Sequence, residues 1–209
     1  MALRRLAAAA LLLLQGSSAA PTPTPVSELK LEAYVGRWYQ LYASLTVKYT
    51  FELGGHCVTA DYGLFEGRQD LITVKNTVQV FGRPIAVNGY ATADPAQAGE
   101  LEVVLGPSAD PSKARPFQST NYLVFGLGPV VDGKYDYALV TDPGVHSLFV
   151  LARDANRFRE QYQAQVLDEI KRLGFTGLLT KPLVTSQEGC TYPPPAPRSE
   201  VDSTAAFLL

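Results

Sequence analysis

Between residues 34 and 152 the chain runs as short apolar segments cut at regular intervals by turn residues, and this spacing narrows the accessible folds more than any other feature. The segments 57–65, 71–80, 85–92, 101–105, 121–125, 134–140 and 146–152 are rich in Val, Ile, Leu, Tyr and Phe. Between them stand Glu66-Gly67, Gly82-Arg83-Pro84, Asp94-Pro95, Gly106-Pro107, Asp132-Gly133 and Asp142-Pro143-Gly144, residues that tolerate positive φ or fix φ for a turn. A further strand beginning near Trp38 makes eight. With no helical segment between the strands, crossover connections are absent and antiparallel pairing follows. Eight strands can close around one small ligand, so the expected fold is all-β, an eight-stranded antiparallel up-and-down barrel; a β-sandwich is the competing arrangement.

One segment departs from the pattern. Over 156–173, Phe158, Tyr162, Val166, Ile170 and Leu173 recur at helical spacing, with charged residues on the other face. This predicts a single C-terminal α-helix, stopped by Gly174 and packed outside the barrel, since its polar face is of mixed charge rather than basic.

The start of the chain reads as an export signal. Arg4 and Arg5 precede the apolar run 6–14, which is shorter than the ~20 residues of a spanning helix, and Ser17-Ser18-Ala19 supplies small residues for cleavage after Ala19. The expected organisation is a signal peptide over 1–19, a Pro/Thr-rich spacer over 20–28, a barrel domain over 29–191 and a disordered Pro-rich tail over 192–209. Secretion is the expected destination, with a plastid lumen or periplasm as the alternative. Two cysteines, Cys57 and Cys190, lie in the mature part. An even count in an exported chain favours a disulfide; two buried free thiols, or an export compartment that stays reducing, are the other readings.

The ordered motifs bring a family into view. Gly36-Arg37-Trp38-Tyr39 on the first strand resembles the Gly-x-Trp motif of lipocalins, and Leu151-Ala152-Arg153-Asp154 ending the eighth resembles their third motif. Cys57, Asp61-Tyr62-Gly63-Leu64, Tyr137-Ala138-Leu139-Val140, the helix and Cys190 follow in the family's order. The resemblance spans about residues 29–190 and is nearest the apolipoprotein D branch and its bacterial relatives. It implies a calycin-type barrel, carriage of a small hydrophobic ligand, and a disulfide placed as in that family. One motif is remodelled: the Thr-Asp-Tyr expected ahead of Tyr137 is replaced by Gly126-Leu127-Gly128-Pro129-Val130-Val131-Asp132-Gly133. Trp38 is expected to plug one end of the barrel with the Arg153 guanidinium stacked on its face, a structural pair that closes the barrel.

Strand alternation proposes a lumenal wall. It comprises Val58, Ala60, Tyr62 and Leu64; Ile72, Val74, Asn76 and Val78; Val87, Gly89 and Ala91; Leu101, Val103 and Leu105; Tyr122 and Val124; and Tyr135, Tyr137 and Leu139. The last strand stays ambiguous, because Leu148, Phe149, Val150 and Leu151 are all apolar. Gly89 and Ala91 are expected to leave volume, so that Trp at position 89 would fill the lumen without harming the fold. Such a wall suits a lipid, sterol, retinoid or tetrapyrrole pigment.

Other functions find less support. A formal charge of −2 provides no basic field for nucleic acid. His56 and His146 are the only histidines and lie in no metal-ligand spacing, and the chain has neither a Gly-x-Ser-x-Gly elbow nor a phosphate loop, so no catalytic residue, metal or cofactor is expected. The alternative is a lipocalin-fold enzyme of isomerase type acting on a lipid or pigment. A protein-interaction module using loop 106–118 is a third reading. The partner is expected to be a small hydrophobic ligand held by a monomer or weak dimer, with room for peripheral contact with lipid particles or membranes.

Overall fold

The alternating segments close into a barrel in the computed structural model, which describes residues 22–195; the expected signal peptide and the tail segment 196–209 lie outside the described residues. A short helix α1 (Leu31–Tyr34) leads into β1 (Gly36–Ser44), and a second, α2 (Leu45–Thr50), leads out of it. Strands β2 (His56–Phe65), β3 (Arg68–Val80), β4 (Arg83–Ala93), β5 (Glu100–Leu105) and β6 (Tyr122–Leu127) follow. After β6 comes a hairpin of β7 (Val130–Val131) and β8 (Lys134–Tyr135), then β9 (Tyr137–Thr141) and β10 (Phe149–Ala152). Strands β1 to β6, β9 and β10 pair antiparallel in succession, and β10 returns to β1 through Tyr39↔Ala152 and Ala43↔Phe149, which leaves no open edge in the ring. A short β11 (Pro182–Val184) pairs with the end of β1, where Tyr42 meets Val184.

The C-terminal helix lies outside the barrel, but it is two helices. Asp154 caps α3 (Ala155–Gln161) by accepting from the backbone N–H groups of Asn156 and Arg157. Tyr162, at φ −122°, breaks the run before α4 (Gln163–Arg172). Phe158, Val166 and Ile170 are buried against the outward side chains Leu41, Leu123, Phe125, Leu148 and Val150. Periodicity alone misses the break because the Tyr162 ring still packs on Tyr137 and Phe158.

The 134–140 segment differs from a continuous strand in a way that alters the wall. Asp136 interrupts it: its N–H donates to Pro129 O, its carbonyl accepts from Arg153 N, and its buried carboxylate accepts two hydrogen bonds from Arg157. The interruption shifts the alternation by one residue. Tyr135, Ala138 and Val140 therefore join the lumenal core, whereas Tyr137 and Leu139, expected to face inward, point outward beneath α3 and α4. The remodelled 126–133 region forms the β7–β8 hairpin, whose turn residues Asp132 (φ 50°) and Gly133 (φ 75°) both adopt the left-handed conformation of a primed turn.

Both ends of the described chain dock on the barrel. Val26, in the expected spacer, donates to Val124 O and packs on the lumenal core. At the other end a disulfide joins Cys57 to Cys190, and the segment after β11 lies against β1 and β2, with Gln187 Nε2 donating to the carbonyls of Gln40 and Val58. Tyr192, expected in a disordered tail, meets Tyr39 edge-on at 5.0 Å, and Pro193 O accepts from Arg37.

Candidate functional site

The closed end of the barrel is built around Trp38. Its ring is fully buried, its Nε1 donates to Tyr34 O at 2.8 Å, and the Arg153 guanidinium lies 3.5 Å from the ring centre. Arg153 also donates to the carbonyls of Ala33, Tyr34, Val35, Arg37 and Tyr135, so one guanidinium satisfies the last turn of α1 and ties β1 to β8. Burial lowers its pKa to about 10, which leaves it charged at neutral pH. Gly36 is needed here for two reasons: its φ is +107°, and a Cβ would stand 3.2 Å from Arg153 Nη1.

Above this floor lies a cavity of about 680 Å³, within the range that encloses small molecules. Of the residues that alternation proposed, the structure brings Val58, Ala60, Tyr62, Ile72, Val74, Asn76, Val78, Val87, Ala91, Leu101, Val103, Leu105 and Tyr122 together around it. Tyr34 joins them from α1, and the hydroxyls of Tyr34 and Tyr62 both meet that of Tyr122, at 2.7 and 3.3 Å. The ambiguous last strand resolves itself: Phe149 and Leu151 border the cavity, and Leu148 and Val150 pack beneath the outer helices.

Six proposed residues stand elsewhere. Tyr137 and Leu139 are outside, for the reason given above. Val124 and Tyr135 face inward but are consumed in the packed core rather than bordering open space. Leu64 lies beyond the β1–β2 pairing, which ends at Gly36↔Tyr62, and is 38% exposed. Gly89 does not leave volume for a ligand. A Cβ there would meet Val104 O at 2.0 Å, so glycine is required by the close approach of β5, and Trp at 89 would displace backbone instead of filling the lumen.

The open end carries groups that a strand-based reading misses, because they come from α2 and two loops. Thr46, Thr50, Phe51 and Glu52 border the cavity from one side, and Asp142, His146 and Ser147 from another. Glu52 is only 7% exposed; its Oε2 accepts from Gln40 Nε2 at 2.8 Å, and Gln40 also donates to Thr185 Oγ1, as does Lys48 Nζ. Burial pushes the Glu52 carboxyl up from the usual carboxylate range, against the opposing effects of the Gln40 hydrogen bond and the Lys48 charge. A carboxyl whose pKa is raised by folding binds more protons in the native state, so its contribution to stability falls as pH rises through the window between the unfolded and folded values. Glu52→Gln is therefore expected to raise Tm at neutral pH and to converge with the parent only as pH falls below the ordinary glutamate range, where the parent carboxyl is protonated in both states. Thermal unfolding of both proteins across that range checks it; a variant less stable than the parent at pH 7 would contradict the assignment.

The Asp142 cluster has the residue types of a hydrolytic triad without its wiring. Ser147 Oγ donates to Asp142 Oδ1 at 2.6 Å, and His146 Nδ1 sits 2.9 Å from Asp142 Oδ2. The hydroxyl is thus bonded to the carboxylate rather than to the imidazole, and the backbone N–H groups of Gly144, His146 and Ser147 donate to the same carboxylate, which staples the loop. Among the described residues, no three His, Cys, Asp or Glu side chains are gathered as metal ligands.

Comparison with known proteins agrees with this architecture. Residues 29–184 match the Lipocalin-like domain. Among solved structures, insecticyanin from the tobacco hornworm Manduca sexta aligns with TM-score 0.50 and 16% identity, covering 80% of this chain and 86% of that one. A biogenic amine-binding protein aligns with TM-score 0.51 and 15% identity over 84% of this chain and 91% of that one. Japanin from Rhipicephalus appendiculatus, solved bound to cholesterol, aligns with TM-score 0.46 and 17% identity over 76% and 96%. No curated protein sequence matches the chain. A family match over most of the chain, on a closed eight-stranded barrel floored by Trp38 and Arg153, shows that the chain belongs to the lipocalin-like family.

Proposed function

We propose that this protein carries one small, mostly apolar molecule in the barrel lumen. The observation that carries the reading is a cavity of about 680 Å³ walled by aliphatic and tyrosyl side chains above a packed floor. A lipid, sterol, retinoid or tetrapyrrole pigment fits that description, and an apolar wall discriminates weakly among them. The open-end wiring favours a carrier over an isomerase-type enzyme: the buried Glu52 is engaged by Gln40, and Ser147 is bonded away from His146.

The Cys57–Cys190 disulfide supports export from the reducing cytosol, in line with the expected signal peptide. Exposed Phe51, Leu53, Phe81 and Ile85 in or beside the turns of the open end give the apolar surface that contact with a lipid particle or membrane would use. Such contact accords with an apolipoprotein D-like carrier collecting its ligand from lipid.

The test fills the lumen where there is room. Val87 points inward, borders the cavity and is half-buried, so open space lies in front of it. Val87→Trp is expected to weaken binding of a fluorescent fatty acid tenfold or more while Tm moves by only a few degrees, since a side chain entering open space need not strain packed neighbours. Unchanged affinity in a folded variant would place the binding site outside the lumen.

A further inference from the structure

The deep end of the cavity has a hydrogen-bond donor that the protein itself leaves without a partner. Tyr34, Tyr62 and Tyr122 converge there, and Tyr122 OH meets the other two hydroxyls at 2.7 and 3.3 Å. These are the only hydrogen bonds of the three hydroxyls among the described residues. Three hydroxyls bring three protons, and two bonds use two of them. Whichever way the bonds run, one O–H is left over. Tyr34 is fully buried, and Tyr62 and Tyr122 border the lumen among aliphatic side chains, so that proton is directed into a largely apolar space.

Two features keep the cluster a donor. Burial holds all three phenols protonated, with Tyr62 pushed up to about 12 and Tyr34 and Tyr122 raised as well. Beneath them Arg153 is a partly buried cation whose hydrogen bonds all go to backbone carbonyls, and its charge acts on Tyr34 and Tyr62. The local field therefore favours an electron-rich atom.

We infer that the lumen recognises an apolar ligand bearing an oxygen acceptor, a carbonyl or carboxylate, and binds it acceptor-first against the Tyr34–Tyr62–Tyr122 cluster. This rests on the carrier reading and adds to it the ligand's polar end and its orientation. The cluster also makes an unusual prediction about its own mutants. Tyr62→Phe leaves two hydroxyls joined by one bond, so one O–H is still free. Only removal of all three hydroxyls abolishes the donor while keeping the rings.

The experiment compares 2-dodecanone with dodecane as competitors of a fluorescent fatty acid, in the parent, Tyr62→Phe and the triple Tyr34→Phe, Tyr62→Phe, Tyr122→Phe protein. The ketone-to-alkane affinity ratio is expected to be about fivefold to tenfold higher in the parent than in the triple variant, the size of one net hydrogen bond. Tyr62→Phe should keep most of that ratio. In the parent alone, the infrared carbonyl stretch of ¹³C-labelled 2-dodecanone should lie at a hydrogen-bonded frequency, a readout that survives even if the triple variant does not fold. If both competitors bind the parent and the carbonyl stretch is that of an unbonded ketone, the inference is wrong and the carrier reading stands. If neither displaces the probe, the carrier reading fails and takes the inference with it.

Discussion

Trp38→Ala is expected to lower stability by about 3–5 kcal/mol, the range for deleting a fully buried aromatic side chain and leaving a cavity. For a chain of this size that corresponds to a fall in Tm of roughly 6–20 °C. The upper part of the range is expected because Trp38 does more than fill space. Its ring is the face on which the Arg153 guanidinium rests at 3.5 Å, and that guanidinium satisfies carbonyls of Ala33, Tyr34 and Val35 at the end of α1. Losing the ring loosens the group that holds α1 across the barrel end. Arg153→Lys should be damaging for the same reason, because an ammonium cannot reproduce the fork of donors that reaches several carbonyls at once. Thermal melts of both variants check this. A Trp38→Ala protein melting within a degree or two of the parent would show that the floor is not a structural keystone.

Removing the disulfide should have an effect of similar size. Cys57 and Cys190 are 133 residues apart, and closing so long a loop stabilises by ~4–5 kcal/mol if chain entropy of the unfolded state dominates. Cys57 occupies an irregularity in β2, at φ 53°, where the register slips between His56 and Thr59. The bond fastens the segment in which Gln187 reaches Gln40 and Val58 and Tyr192 meets Tyr39. The double Cys57→Ser, Cys190→Ser variant is expected to melt roughly 8–20 °C lower than the oxidised parent. Adding dithiothreitol should lower the parent to the same value and leave the variant unmoved. Equal melting of oxidised parent and variant would mean that the tail contacts alone hold the segment.

Much of the barrel was legible in the sequence because its strands carry a period-two pattern and its turns carry Gly, Pro, Asp and Asn. The same pattern placed Ala60, Tyr62, Ile72, Val74 and Asn76 on the cavity wall, since β2 and β3 pair without irregularity from Thr59↔Thr77 to Leu64↔Ile72. Alternation failed where the backbone breaks step. The interruption at Asp136 is not a hydrophobic signal; it exists because Pro129, before it in the chain, and Arg153 and Arg157, after it, converge on one residue. Past that point an inward expectation for Tyr137 and Leu139 had to be wrong. Gly89 failed differently. A glycine in a strand can mark empty space or a backbone pressed close, and only the position of Val104 O distinguishes them. The mouth residues Gln40 and Glu52 could not be found from strand periodicity, because their meeting depends on how the loop after α2 folds back over β1.

Binding in the lumen, not on the outer surface, is the premise of the proposed carrier function. It is tested most directly by isotope-filtered nuclear Overhauser spectroscopy on methyl-labelled protein with unlabelled 2-dodecanone. Intermolecular contacts are expected to the methyl groups of Ile72, Val74, Leu101 and Val103, which border the cavity. Contacts confined to Leu178, Leu179 and Val184, which are exposed on the outside, with none to the four lumenal residues, would contradict it.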